Sequence, residues 1–165
     1  MIEKYGVREI AFLDDTFILR KKRLHKIFEL LGDKEITFSW TCMTRADNLD
    51  YETLKFMADN GCWQIRVGIE SGDQGVLDFI KKGITLQQVR DVARWCKKLK
   101  IKMSGFFIIG HHIDTPETIQ KTIEFALSLP LTDIIATINT PIPGTESYDK
   151  AREYGKYDEC DWTSL

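Results

Sequence analysis

The chain has 165 residues, of which 43% are apolar, enough for one domain with a sizeable hydrophobic core. Its formal charge is −2, and its short basic runs, such as Arg20 to Arg23, are typical of solvated helix ends, so no nucleic-acid partner is expected. No apolar run is long enough for a membrane span and no leader pattern follows Met1, so we expect a cytosolic protein.

Five apolar runs predict five β-strands. Each run ends at small, acidic or turn-forming residues, and the strand onsets recur about every thirty residues, the length of one βα unit. We expect the segments between them to be helical. The runs are Ile10–Leu13, Ile36–Cys42, Ile65–Ile69, Phe106–Ile109 and Ile134–Ile138.

Helix signals lie between these runs. The first helix is predicted from Phe17 to Leu31, and Asp50, Thr85 and Thr115 are predicted helix caps. Strands and helices that alternate in this way form a parallel sheet with right-handed crossovers. The sequence therefore predicts an α/β fold, a partial parallel (β/α) barrel of the TIM type with about five βα units, in one domain over residues 1–165. Such sheets carry ligand chemistry in the loops beyond the strand carboxyl ends.

Seven short motifs follow one another along the chain. They are Phe12 to Phe17, Thr44 to Asp47, Gly61-Cys62, Gly68 to Gly72, Lys82-Gly83, Phe107 to Gly110 and Pro141 to Thr145. This ordered series resembles radical S-adenosylmethionine (radical SAM) enzymes, and within them the branch that often carries an upstream cobalamin-binding domain and includes anaerobic magnesium-protoporphyrin monomethyl ester cyclases. Each motif is weak alone, but seven of them in the right order make the resemblance strong.

The resemblance implies a partial (β/α)6 barrel, of which these would be strands two to six. It also implies a 4Fe-4S cluster held by a CxxxCxxC loop, and S-adenosylmethionine that is cleaved to a 5'-deoxyadenosyl radical. That loop is absent here, and Cys42, Cys62, Cys96 and Cys160 are too scattered to replace it. We therefore expect a truncated barrel core whose missing N-terminal segment precedes Met1. This fragment should bind no cofactor tightly and be inactive alone.

Further partners follow from the same resemblance. The full-length protein is expected to act on a small-molecule substrate, possibly a tetrapyrrole, and to receive electrons from a reductant such as ferredoxin or flavodoxin. Cobalamin would be bound by an upstream domain that is absent from this sequence.

Two strand ends carry charged candidates for the methionyl group of S-adenosylmethionine. Asp14 or Asp15 is predicted to accept hydrogen bonds from its ammonium, unless Asp15 caps the following helix. Arg45 is predicted to pair with its carboxylate, and the alternative is a structural salt bridge with Asp47.

The end of the third strand carries Glu70, Ser71 and Gly72. Glu70 and Ser71 are predicted to meet the ribose hydroxyls or the methionyl group, and Gly72 to allow close backbone approach. The alternative is a turn in which Ser71 caps the next helix.

The last two strand ends are predicted to border the adenosyl group. Ile108 and Gly110 resemble the strand that flanks the adenine, and Pro143 lies in the segment that borders the adenosyl pocket. His111 and His112 depart from the family pattern, so a substrate contact or proton donor is predicted there rather than a metal site.

These features favour the central portion of a radical SAM enzyme that carries out hydrogen abstraction, cyclisation or methyl transfer on an organic substrate. Two alternatives from other classes remain open. One is a non-redox adenosine- or phosphate-binding barrel module, and the other is a two-electron lyase that uses Glu70 or a histidine as base.

Overall fold

The structure is a computed structural model that describes residues 2–154. Its strands are β1 (Glu9–Phe12), β2 (Ser39–Thr44), β3 (Cys62–Glu70), β4 (Lys102–Ile109) and β5 (Asp133–Ile138). Its helices are α1 (Ile2–Tyr5), α2 (Lys21–Gly32), α3 (Tyr51–Asp59), α4 (Gln74–Phe79), α5 (Leu86–Leu99), α6 (Pro116–Ser128) and α7 (Glu146–Tyr154).

The five strands form one sheet in the order β1-β2-β3-β4-β5, and every neighbouring pair is parallel. Right-handed crossovers between strands in sequential order place the connecting helices on one face of the sheet. We call this the outer face and the opposite one the inner face. The predicted α/β fold with five βα units is confirmed.

The hydrophobic core lies between the outer face and the helices. In β3, Ile65, Val67 and Ile69 alternate toward this side and are fully buried. Burial of each such side chain contributes about 1.5–3 kcal/mol. Arg66 and Gly68, between them, therefore belong to the inner face.

Trp40 anchors the β2 side of the core. Its indole is fully buried, lies 5.2 Å from the Phe28 ring, and donates a hydrogen bond to the Asn60 carbonyl oxygen at 2.7 Å. That bond satisfies its polar atom, so the whole side chain is buried without an unpaired donor.

The predicted caps at Asp50, Thr85 and Thr115 are confirmed, because each side chain accepts a hydrogen bond from the backbone of the helix that follows. The first helix is shorter than predicted. Phe17–Leu19 form a 3-10 turn, and Arg20 is extended before α2 begins. Within residues 2–154, no helix is long and apolar enough to cross a bilayer.

Candidate functional site

The candidate site lies where the parallel strands end. The carboxyl ends of β1 to β5 face the same edge of the sheet, so the loops after them meet there. This edge brings the sequence-predicted residues of all five strand ends to one side of the molecule.

An ion pair between Glu70 and Lys82 lies at the end of β3. Lys82 Nζ donates to Glu70 Oε1 at 2.6 Å, and the two side chains are only 15% and 16% exposed. Gly68 leaves the space they occupy, because a Cβ atom there would lie 2.7 Å from Glu70 Oε1 and 2.9 Å from Lys82 Nζ. The pair is a largely desolvated charge centre beside the strand ends.

The backbone of Glu70 is strained. Its φ is 70°, a left-handed value that costs a residue other than glycine about 1–3 kcal/mol. The pairing of β3 with β4 also shifts register between Gly68 and Glu70, as in a β-bulge. Bulges re-aim side chains near functional sites, and this one places the Glu70 carboxylate against Lys82.

Arg45 makes the salt bridge with Asp47 that was the structural alternative. Its Nε and Nη2 atoms donate to the two Asp47 carboxylate oxygens at 3.0 and 2.8 Å, and this hydrogen bonding raises the pKa of Arg45. Nη2 also donates to the Lys82 carbonyl oxygen at 2.6 Å. Arg45 therefore lies beside the Glu70–Lys82 pair, and its contact with a cofactor stays a prediction.

Ser71 and Gly72 face α6. The Ser71 hydroxyl is 1% exposed, lies 3.1 Å from Thr122 Oγ1, and accepts from the Asp73 amide. A Cβ atom on Gly72 would lie 2.6 Å from Phe125 Cβ. Both residues thus pack the β3–α4 turn against α6, and their cofactor contacts stay predictions.

The helix cap after this turn is Asp73. Its side chain accepts from the Val76 amide at 3.2 Å at the start of α4. The alternative in which Ser71 caps the helix is therefore wrong, since its hydroxyl accepts from the amide of Asp73, the cap residue itself, and not from an amide inside α4.

Asp14 and Asp15 follow β1 and are exposed. Asp14 lies 3.9 Å from Arg23, a loose and solvated ion pair. Asp15 caps no helix, because the residue before the 3-10 turn is Thr16 and the one before α2 is Arg20. β2 separates β1 from β3, and Phe12 at the end of β1 is level with Ile65, five residues before Glu70. Their contact with an ammonium group stays a prediction.

A pocket of about 260 Å³ opens beside the ends of β4 and β5. His111 lies in its wall, and the buried Nε2 atom of this side chain has no hydrogen-bond partner among the described residues. Burial lowers the pKa of His111, which favours the neutral ring. The lining residues are Phe79, Ile80, Lys81, His111, His112, Asn139, Thr145, Glu146, Ser147 and Lys150.

The loop before α6 fixes the backbone of this wall. The amides of Gly110 and His111 both donate to Asp114 Oδ2 at 2.9 Å, and Thr118 Oγ1 donates to Asp114 Oδ1. Both carboxylate oxygens of Asp114 therefore accept hydrogen bonds within this loop and the start of α6. His112 packs edge-on against Phe79, with ring centroids 4.6 Å apart. Between residues 2 and 154, no group of three or more His, Cys, Asp or Glu side chains is placed to hold a metal ion.

Two other predicted residues, Ile108 and Pro143, do not line this pocket. Ile108 is half-buried two positions before Gly110, and Pro143 is exposed in the turn before α7. The predicted adenine contacts of Ile108, Gly110 and Pro143 stay predictions.

The described cysteines do not fit an iron–sulfur cluster. Cys42, Cys62 and Cys96 are buried in the core on the outer face, away from the strand ends. Burial raises the pKa of Cys96 to about 12, and a hydrogen bond with Cys42 together with burial raises the pKa of Cys62. Cluster iron needs several cysteine ligands that converge on one open point, and side chains packed within the core do not provide it. Cys160 lies outside the described residues.

Lys82 is the site residue that sequence reasoning missed. It was noted only within a Lys82-Gly83 motif, yet the structure places it against Glu70, twelve residues earlier. One sequence signal could have found this contact. Lys82 follows a short helix that comes directly after the third strand, so the chain can bring the lysine back to the end of that strand. Gly83, with a φ of 71°, makes the turn after it.

The family comparison identifies the chain. Residues 1–126 match the family model of the radical SAM superfamily. The family resemblance that the motifs predicted is therefore confirmed.

Curated relatives include methyltransferases and a cyclase. An uncharacterised methyltransferase of Pyrococcus horikoshii is 40% identical over 148 residues, covering 90% of this chain and 32% of that protein. The bacteriochlorophyllide d C-8(2)-methyltransferase of Chlorobaculum tepidum is 30% identical, covering 90% of this chain and 33% of that protein. The anaerobic magnesium-protoporphyrin IX monomethyl ester cyclase of Cereibacter sphaeroides is 24% identical, covering 95% and 27%. The predicted likeness to this cyclase is thus present, and the two methyltransferases are more similar.

Among solved structures, the radical S-adenosylmethionine methyltransferase TsrM of Kitasatospora setae, with cobalamin and a 4Fe-4S cluster bound, has the same fold. Its TM-score is 0.76 at 19% identity, and the match covers 86% of this chain and 29% of that one. The chain spans about a third of the length of the curated relatives it matches.

Proposed function

Since this chain belongs to the radical SAM superfamily, we propose that it binds S-adenosylmethionine across the carboxyl ends of its strands, as the central part of a radical SAM enzyme. When bound, S-adenosylmethionine supplies the radical or methyl group that reacts with the substrate. The chain's own residues bind and orient it. The Glu70–Lys82 pair is the observation that carries this proposal.

The charges at the end of β3 match the methionyl group. That group carries an ammonium and a carboxylate, and Glu70 and Lys82 offer the complementary pair of charges within 2.6 Å of each other. Arg45 adds a third charge beside Lys82, through its bond to the Lys82 carbonyl oxygen. We propose that the ammonium binds Glu70 while Lys82, helped by Arg45, holds the carboxylate.

The adenosyl group is assigned to the pocket beside the ends of β4 and β5. This pocket contains an unpaired buried imidazole nitrogen, on His111, and hydrophobic walls such as Ile80. A neutral imidazole suits a hydrogen bond with a neutral base or ribose. We propose that His111 binds the adenosyl group or an adjacent substrate atom, and that Gly110 and Pro143 border the same group.

Methyl transfer is the reaction class we favour for the full-length protein. The curated relatives that are at least 30% identical over most of this chain include two named as methyltransferases, whereas the cyclase is 24% identical. Hydrogen abstraction and cyclisation remain within the same family chemistry. We propose a small organic substrate and leave its identity to assay.

The remaining cofactors are proposed to lie outside these residues. The described cysteines do not fit a cluster, and the chain spans about a third of its curated relatives. We propose that the full-length protein holds the cluster in a segment outside residues 1–165, receives electrons from a ferredoxin or flavodoxin, and binds any cobalamin in another domain. Residues 1–165 alone should be inactive.

Calorimetric titration of the full-length protein with S-adenosylmethionine tests the proposal. Glu70→Gln and Lys82→Met should each weaken binding at least about tenfold, because each removes one charge-assisted contact. Lys26→Met, on an exposed helix face, is the matched control and should leave binding unchanged. Equal affinity in all four proteins would refute the proposed site.

A further inference from the structure

Arg66 lies at the centre of the inner face and has no partner among the described residues. It lies in the middle of β3, between the fully buried Ile65 and Val67 of the outer face. Its register neighbours are Met43 on β2 and Ser104 on β4. The side chain is half-buried, and it makes no hydrogen bond, ion pair or ring contact with any side chain or backbone group that the structure describes.

The carboxylates that could pair with Arg66 are engaged elsewhere. Glu70 binds Lys82, and Asp47 binds Arg45. Asp133, on the next strand but one, accepts a hydrogen bond from Ser104 at 3.0 Å. Each of these three carboxylates therefore has another partner, and none of them pairs with Arg66.

The inner face around Arg66 carries buried polar side chains, two of which are hydrogen-bonded to each other. Three polar side chains of this face are buried, although the connecting helices lie on the outer face. They are Thr41, Gln64 and Ser104, which are 2%, 8% and 2% exposed. Gln64 Nε2 donates to Ser104 Oγ at 2.9 Å, and so links β3 to β4 at this level. These two buried side chains are therefore held in place across neighbouring strands, and Arg66 lies beside them on the inner face.

An arginine in this position needs an anion. An arginine guanidinium is a permanent cation, and burying even part of it is costly unless a partner replaces the lost hydration. Its planar fork suits two oxygens of one carboxylate or phosphate group. We infer that Arg66 is the oxyanion-binding residue of the substrate subsite, so that the substrate carries a carboxylate or phosphate group.

The position of Arg66 also separates the anion site from the strand ends. Arg66 precedes Glu70 by four residues on the same strand, about 13 Å at the strand rise. The anion site therefore lies deeper on the inner face than the proposed S-adenosylmethionine site at the strand ends. That the bound anion belongs to the substrate rests on the proposed function. The anion site itself is inferred only from the residues of the inner face.

The test is a nuclear magnetic resonance titration of the full-length protein labelled with ¹⁵N-arginine. The Arg66 Nε–H signal, assigned by its loss in Arg66→Lys, should shift with sodium acetate or inorganic phosphate at constant ionic strength. Whichever anion binds more tightly identifies the oxyanion class. Arg66→Met should weaken that binding, followed at the backbone amides of β3, at least about tenfold. Arg94→Met, on an exposed helix face, should not.

Arg66→Lys keeps the positive charge and provides a second test in case Arg66→Met does not fold. It should retain the native melting temperature and bind the anion more weakly, because lysine lacks the bidentate fork. If neither anion shifts the Arg66 signal, or if Arg94→Met abolishes the effect equally, the inference is overturned.

Repeating the titration with saturating S-adenosylmethionine separates the two proposals. An unchanged acetate or phosphate response supports a distinct substrate subsite. Competition would assign Arg66 to the S-adenosylmethionine carboxylate and overturn the inference. If S-adenosylmethionine binds but neither anion does, the inference fails while the proposed function stands. If an anion binds but S-adenosylmethionine does not, the proposed function fails and the anion site remains.

Discussion

Breaking the Glu70–Lys82 pair on one side should destabilise the chain more than removing both charges. Lys82→Met leaves a carboxylate that is 15% exposed without its 2.6 Å partner. A fully buried pair costs about 3–5 kcal/mol when broken, and the remaining solvent contact reduces this to about 2 kcal/mol here. Glu70→Gln combined with Lys82→Met removes the unpaired charge, so the coupling energy of the pair should be about 1–2 kcal/mol.

Urea unfolding of the wild type, the two single variants and the double variant measures this coupling. The matched control is the Lys26–Glu29 pair, 3.0 Å apart with side chains 61% and 59% exposed, whose coupling should be below about 0.5 kcal/mol. A Glu70–Lys82 coupling as small as that of the control would refute the view that the pair is desolvated.

Three further predictions concern packing, pH and capping. Gly72→Ala should lower the free energy of unfolding by about 1–3 kcal/mol, because its Cβ would collide with α6, whereas Gly32→Ala, with no atom within 4 Å, should not destabilise. Burial lowers the pKa of His111 in the folded protein, so the neutral ring costs nothing above the unfolded pKa, and stability is lost as the pH falls below about 6.5. His111→Asn should therefore reduce the difference in the free energy of unfolding between pH 7.5 and 5.5. Asp50→Ala should lower the free energy of urea unfolding by about 1 kcal/mol, because the side-chain cap on the Thr53 amide is lost. The pKa of Asp50 is lowered to about 2, so Asp50→Asn should remove the part of the stability that the wild type loses as pH falls from about 4 to 2.

The fold was predictable because its signals are local. Alternation of apolar runs with capped helices at one βα spacing is enough to predict a parallel sheet, and the caps at Asp50, Thr85 and Thr115 are written in three or four adjacent residues. The break at Arg20 was not predictable in this way. It follows from tertiary packing, because Phe17 and Ile18 are both buried in the core just before α2.

The site was predictable in position but only partly in its contacts. Glu70 and Arg45 could be placed at the strand ends from the sequence. Their partners could not, since the contact of Lys82 with Glu70 depends on the path of α4 and on a positive φ at Glu70. Ser71 illustrates the reverse case, where the sequence suggests a ligand contact and the structure shows its hydroxyl bonded to Thr122.

A crystal structure of the full-length protein with S-adenosylmethionine would test the central claim most directly. The account predicts the methionyl ammonium within hydrogen-bond distance of the Glu70 carboxylate and the methionyl carboxylate at Lys82, with the adenosyl group beside His111. A ligand bound elsewhere, with the Glu70–Lys82 pair intact and out of contact, would contradict it.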